Sequence, residues 1–143
     1  MTIGIQVTFD AADPEKLSEF WAVALDYQIE PPPPGFDTWQ QFAAKIGLPE
    51  EKWHDYAAAI DPERAKPRLY FQKVPESKVA KNRCHLDLNV SRGAASPEEG
   101  WQRVLAHVDK LVAAGATVLR ESNEVIGRCM VMQDPEGNEF CVQ

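Results

Sequence analysis

Two stretches of the chain alternate regularly between apolar and polar residues. The first is IQVTFD, residues 5–10, and the second is CHLDLNV, residues 84–90. Because successive side chains of a strand point to opposite faces of its sheet, each stretch predicts a strand with one apolar and one polar face. The polar face of the second strand carries His85 and Asp87, and that of the first begins with Gln6. These polar faces either meet water or line a site.

Each predicted strand is followed by apolar residues at helical spacing. In the first half, Asp13 followed by Pro14 is typical of a helix start, and apolar positions then recur at intervals of three and four residues. In the second half, Ser96 and Glu99 predict a capping box at the start of a longer helix. Gly115 predicts the end of that helix.

The ends of the two halves also match. Residues 57–64, AAAIDPER, and residues 130–137, MVMQDPEG, each predict a strand that closes on an Asp-Pro-Glu turn. Further strands are predicted at residues 27–30, 68–74, 117–121 and 139–143.

Each half is therefore predicted to run strand, helix, strand, strand, strand. This order predicts an α+β fold of two tandem βαβββ modules, residues 1–76 and 77–143, that form one compact domain overall. Superposing the halves places Gln6 on His85 and Tyr70 on Cys141. The alternative is a chance similarity between two short α+β units.

The first half contains a segment, residues 31–54, that has no counterpart in the second. It opens with a run of four prolines, which is extended and stiff. Trp39, Phe42 and Ile46 then lie at helical spacing before Gly47. The segment is predicted to be a helical insertion, either a lid over a pocket or an extra helix packed on the outside.

Composition narrows the possible partners and location. The chain has 143 residues and a net charge of −7, which argues against binding to nucleic acid or to anionic membranes. Its three cysteines form neither a C-x-x-C pair nor a zinc-binding spacing. No apolar run approaches the roughly 18 residues needed to span a bilayer, and the first residues do not resemble a signal peptide. We therefore expect a cytoplasmic protein with reduced cysteines.

Several motifs in this order resemble a known superfamily. KNRCHLDLNV, DPEGNEFCVQ, RLYFQKVPESK and ADPEKLSEFWAVAL are similar to segments of the vicinal oxygen chelate superfamily, and within it of the glyoxalase-like (glyoxalase and bleomycin-resistance) domains. The resemblance covers nearly the whole chain apart from residues 31–54. It implies that the mixed sheet of each module curls into a half-open cup, that the cups enclose a pocket, and that the protein is a homodimer.

The resemblance also implies positions for a metal ion, which members hold with residues of the first and last strands of each module. His85 and Gln6 match the first-strand positions, and Cys141 stands where a glutamate is usual. The predicted metal ligands are thus Gln6, His85 and Cys141, for zinc, nickel, manganese or iron. The family's base is missing from its usual places, which leaves Glu139 and Asp87 as candidates for catalysis.

The missing carboxylates favour a protein that binds a small molecule in the cup without the family's metal-dependent catalysis. One alternative is a divalent-metal-dependent lyase or isomerase of the glyoxalase type, and another is a non-catalytic interaction module with a vestigial pocket. Met130 and Met132 are expected on the pocket face, where they suit an apolar ligand, or else they fill the core. The predicted ligand-binding residues are Gln6, Thr8, Tyr70, Gln72, His85, Asp87, Met130, Met132 and Cys141.

Overall fold

The computed structural model describes all 143 residues. They form two compact units, Met1–Ser77 (unit 1) and Lys78–Gln143 (unit 2). The elements are β1 (Gln6–Ala11), α1 (Pro14–Leu25), β2 (Gln28–Ile29), α2 (Trp39–Lys45), a 3-10 turn (Glu50–Lys52), β3 (Tyr56–Ile60), β4 (Arg68–Lys73), β5 (Asp87–Leu88), α3 (Pro97–Ala113), β6 (Thr117–Glu124), β7 (Gly127–Gln133) and β8 (Glu139–Val142). The predicted α+β class is confirmed.

Each unit contains a four-stranded mixed sheet with the same topology. The strand order is β1-β4-β3-β2 in unit 1 and β5-β8-β7-β6 in unit 2. The first strand of each unit pairs in parallel with its last strand, and the other neighbours pair antiparallel. The last strand of each unit is therefore an inner strand of its sheet.

The strand registers confirm the internal repeat. Thr8 of β1 lies opposite Tyr70 of β4, and Asp87 of β5 lies opposite Cys141 of β8. The superposition that places Gln6 on His85 also places Thr8 on Asp87, so the two registers are equivalent. The β5 strand is shorter than predicted, because its regular pairing is limited to Asp87 and Leu88.

The core of unit 1 forms where α1 packs on β3 and β4. Trp21 is 1% exposed and lies between Phe9 and Phe20, with ring centroids 5.1 and 5.6 Å away. Phe9 in turn stacks on Phe71, which is fully buried. The apolar spacing of the helix therefore produces the packing predicted for it, because the buried residues Leu17, Phe20, Trp21 and Ala24 share one face.

The predicted helix boundaries are also confirmed. The Asp13 carboxylate accepts a hydrogen bond from the Lys16 backbone N–H, and α1 starts with Pro14. The Ser96 hydroxyl accepts one from the Glu99 N–H at the start of α3. None of the helices combines the length and the apolar character required to traverse a lipid bilayer.

An aspartate organises the Asp-Pro-Glu turn of each unit. The Asp61 carboxylate accepts hydrogen bonds from the backbone N–H groups of Glu63, Ala65 and Lys66. Asp134, which is 3% exposed, does the same in unit 2. Each carboxylate thus accepts the hydrogen bonds of the backbone N–H groups in the turn that leads into the last strand of its unit.

Candidate functional site

One polar face of unit 2 brings together a histidine, a carboxylate and a thiol. His85 lies just before β5, and its Nδ1 is 2.6 Å from the Asp87 Oδ1. Asp87 pairs across the strands with Cys141 of β8. One ligating atom from each of the three side chains lies within 4.8 Å of the others. We call these three residues the His-Asp-Cys cluster.

The cysteine of this cluster is protonated at neutral pH. Burial, together with the neighbouring Cys129 and Asp87, disfavours its thiolate and raises the pKa of Cys141 to about 12. A thiol with so high a pKa is a weak nucleophile by itself. Cys141 would become a strong ligand only when a metal ion displaces its proton.

The donor set of the His-Asp-Cys cluster fits zinc better than a harder ion. Imidazole, carboxylate and thiolate are all zinc ligands, and thiolate favours zinc over manganese. Ligating atoms about 2.0–2.3 Å from one zinc ion lie roughly 3.3–3.8 Å from each other, so atoms now up to 4.8 Å apart would close by about 1.0–1.5 Å, whereas the His85 Nδ1 and the Asp87 Oδ1, now 2.6 Å apart, would separate slightly. The cluster contains two of the predicted ligands and adds Asp87, whereas Gln6 belongs to unit 1 and stays a prediction.

Contacts within unit 2 hold the carboxylate of Glu139, the other candidate base, in place. Its Oε2 accepts a hydrogen bond of 2.8 Å from the Asn82 backbone N–H and lies 3.1 Å from the Lys78 Nζ. Chiefly through the Asn82 N–H, and also through Lys78, the pKa of Glu139 falls from 4.5 to about 2. A carboxylate this acidic is a poor base near neutral pH. It instead fastens the segment before β5 to β8.

This anchoring makes unit 2 sensitive to acid. Because the folded pKa lies below the ordinary value, Glu139 stabilises the fold fully above about pH 4.5, and this contribution is lost as the pH falls towards 2. We expect Glu139→Gln to be less stable than wild type at pH 7, with the difference shrinking between pH 4.5 and 2. Urea unfolding at a series of pH values measures this. A difference that does not change with pH would contradict the assignment.

The structure corrects the placement of the two methionines. Val131, between them, lies opposite Cys141, whereas Met130 and Met132 lie opposite Val142 and Phe140. Met132 is fully buried and Met130 is 9% exposed. Because alternate residues of β7 face opposite sides, both methionines lie on the side away from the His-Asp-Cys cluster. They fill the core of unit 2, so the prediction that they share the pocket face is wrong.

Unit 1 presents a polar sheet face made of the predicted residues. Gln6 and Thr8 alternate with Val7 along β1, and Thr8 lies opposite Tyr70. The Gln6 amide donates a hydrogen bond to the Thr8 hydroxyl at 3.3 Å. Gln72, one step further along β4, donates to an Asp10 carboxylate oxygen at 2.9 Å. The predicted grouping on one face is confirmed, and the roles of these residues in ligand binding stay predictions.

An arginine and a glutamate that are not among the predicted site residues complete this face. The Arg68 Nε donates to both carboxylate oxygens of Glu30 at 3.1 and 3.0 Å, and its NH1 donates to the Gln6 Oε1 at 2.9 Å. The guanidinium also lies 5.0 Å from the centroid of the Tyr70 ring. Strand alternation from Tyr70 would have found Arg68, but no local signal pairs it with Glu30.

A cavity of about 710 Å³ opens beside this face in unit 1. Tyr56 and Tyr70, whose rings stack 6.2 Å apart, form part of its wall. The insertion supplies much of the remainder, including Trp39 and Phe42 of α2. The Trp39 indole N–H donates to the Glu30 backbone carbonyl at 2.8 Å, which ties α2 to the end of β2. The insertion is therefore a wall of the cavity.

Comparison with known proteins identifies this architecture. The family model described as "Glyoxalase-like domain" matches residues 6–143. No functionally curated protein matches the chain. The matched range contains both sheets and all the candidate residues described above.

Solved structures share the fold at low sequence identity. A glyoxalase/bleomycin resistance protein/dioxygenase family enzyme from Burkholderia phytofirmans is 17% identical with a TM-score of 0.60, over 96% of this chain and 94% of that chain. A mutant of the fosfomycin resistance protein FosX from Listeria monocytogenes, in complex with Mn(II) and 1S,2S-dihydroxypropylphosphonic acid, is 13% identical with a TM-score of 0.63 over 100% and 90%. A possible glyoxalase from Bacillus cereus is 14% identical with a TM-score of 0.61 over 100% and 99%.

The family match spans both repeated units, and the solved structures reproduce their fold over nearly the full chain. The chain therefore belongs to the glyoxalase-like domain family.

Proposed function

We propose that this protein binds a small, largely apolar molecule in the cavity of unit 1. The observation that carries the proposal is the cavity itself, about 710 Å³ in volume and walled by aromatic residues of β3, β4 and the insertion. Small-molecule sites usually have volumes of roughly 300–1,000 Å³, apolar walls and few polar groups. A ligand of moderate size would fit this space.

The polar groups at the cavity have fixed orientations. Glu30 fixes the Arg68 guanidinium through two carboxylate contacts, and Gln6 accepts a further hydrogen bond from it. The Tyr70 ring contacts the Arg68 guanidinium of this network and stacks with the Tyr56 ring. A site whose side chains are already ordered loses little entropy on binding, which supports recognition of one ligand shape.

Tyr70→Ala tests the proposal directly. In a thermal-shift screen of aromatic compounds followed by calorimetry, we expect at least one compound to bind wild type and to lose at least about tenfold affinity in this variant, because a buried aromatic anchor carries much of the binding energy. Tyr27→Ala is the matched control, since Tyr27 is a partly buried tyrosine outside the cavity. Equal losses in both variants, or no binding by wild type, would overturn the proposal and favour an interaction module.

A second candidate function is metal-dependent catalysis at the His-Asp-Cys cluster, and the convergence of three ligating atoms favours it. A zinc ion held by His85, Asp87 and Cys141 would supply a Lewis acid that polarises an oxygen of a bound substrate. The 2.6 Å contact between the His85 Nδ1 and the Asp87 Oδ1 brings these two donors together at the cluster. Asp87 is also the remaining candidate for proton transfer in unit 2.

A further inference from the structure

The charge of the cavity walls points to the class of ligand. Resting on the proposed function, we propose that the unit 1 cavity binds an organic cation, a ligand that joins an amine or quaternary ammonium group to an apolar body. Carboxylates and aromatic ring faces line the same space, and both attract a cation.

The cavity lining carries an excess of negative charge. Three carboxylates, those of Glu15, Glu19 and Glu30, line it together with a single guanidinium, that of Arg68. Glu30 and Arg68 are paired, with side chains only 15% and 34% exposed, so they neutralise each other. The remaining net charge of the lining is −2, and it belongs to α1.

The two remaining carboxylates are adjacent and accessible. Glu15 and Glu19 are four residues apart on α1, so they lie on one side of the helix. Glu15 contacts the His54 Nδ1 at 2.7 Å, whereas Glu19 has no hydrogen-bonding or ionic partner. Glu19 is therefore available to a cationic group at the cavity mouth.

The aromatic walls also favour a positively charged ligand. The face of an aromatic ring is electronegative, so a cation held over tryptophan or tyrosine is stabilised by electrostatic attraction. The structure already contains such a contact, because the Arg68 guanidinium lies 5.0 Å from the Tyr70 centroid. Trp39 and Tyr56 line the same cavity and provide further ring surface.

An anionic ligand would find no comparable partner. Arg68 is the only cationic side chain of the lining, and its donors already serve Glu30 and Gln6. An anion would have to break that pair and would be repelled by Glu15 and Glu19. The net charge of −7 of the whole chain also disfavours the binding of an anion.

The test uses two probes of nearly equal shape, phenyltrimethylammonium and its neutral isostere tert-butylbenzene. We expect calorimetry or competition to show about tenfold tighter binding of the cation by the full-length protein. Glu19→Gln is expected to weaken the cation about two- to fivefold and to leave tert-butylbenzene unchanged, since exposed charge pairs contribute modestly. Glu98→Gln, an equally conservative loss of an exposed carboxylate on α3, is the control for net charge.

Each other outcome has a distinct meaning. Equal affinity for the two probes would overturn the cation preference and leave small-molecule binding intact. Equal weakening by Glu19→Gln and Glu98→Gln would assign the preference to the overall charge and would also overturn the inference. If neither probe binds, and the aromatic screen finds no ligand, both the inference and the proposed function are wrong.

Discussion

Asp134→Ala is expected to lower the free energy of unfolding by about 3 kcal/mol or more. The buried carboxylate accepts hydrogen bonds from the backbone N–H groups of Glu136 and Asn138 and from the Asn138 side-chain amide. Alanine removes every acceptor at once, and each buried polar group left unpaired costs about 1–3 kcal/mol. The turn that these hydrogen bonds stabilise leads directly into β8, an inner strand of its sheet. Urea denaturation followed by circular dichroism measures the loss.

Two variants test the cause of this loss. Asp134→Asn keeps an oxygen near the Oδ1 position, which accepts both backbone hydrogen bonds, so we expect it to retain more stability than the alanine variant. Asp61→Ala removes the equivalent carboxylate of unit 1, which is less buried than Asp134. We expect a smaller loss there, because water can replace more of the contacts. Equal losses at the two aspartates would contradict the role of burial.

His85→Ala is expected to weaken zinc binding by more than about 100-fold. Loss of a residue that merely orients a ligand typically costs 10–100-fold in metal affinity, and removal of a ligand costs at least as much. Metal analysis after incubation with zinc should give about one ion per chain in wild type and none in the variant. Cobalt(II) should give a thiolate-to-metal charge-transfer band in wild type that disappears in Cys141→Ala.

The controls for metal binding are chosen from the same chain. His54→Ala removes an exposed histidine of unit 1, and Cys84→Ala removes the exposed cysteine next to His85. Neither belongs to the His-Asp-Cys cluster, so both should retain zinc and the cobalt spectrum. If wild type holds no stoichiometric zinc, nickel, manganese or iron(II), the second candidate function is wrong and His85 is at most a polar wall residue.

Much of the fold could be predicted because its signals are local and occur twice. Alternation identifies the faces of β1, and capping residues identify the starts of α1 and α3. The repeat adds a second signal, because superposing the Asp-Pro-Glu turns of the two halves places Tyr70 on Cys141. The registers agree with this superposition, since Thr8 lies opposite Tyr70 and Asp87 lies opposite Cys141.

The errors and omissions concern contacts between distant segments. Alternation shows that Met130 and Met132 share a face, but the pairing of β7 with β8 decides which face that is. Likewise, the acidity of Glu139 depends on Lys78 and Asn82, which lie 61 and 57 residues away in sequence. Such contacts are set by tertiary packing, which a single sequence does not encode as a local pattern.

The cavity illustrates the same limit. The insertion was recognised, and its helix was placed at Trp39, yet the sequence allowed it either to cover a pocket or to pack on the outside. The deciding contacts include the hydrogen bond from the Trp39 indole to the Glu30 carbonyl and the position of Phe42 in the cavity wall. Neither contact follows from periodicity, because both depend on where α2 packs against the sheet after the proline run.

The inner position of each last strand has a consequence for synthesis on the ribosome. Unit 1 can complete its sheet once β4 has left the exit tunnel, because β4 closes the parallel pair with β1. Unit 2 must wait for β8, which supplies the neighbour of both β5 and β7. Until then the β6–β7 hairpin has an unpaired edge that other nascent chains could join. A chain truncated before β8 should therefore aggregate more readily than the full-length chain, because the edge of its β7 strand stays unpaired.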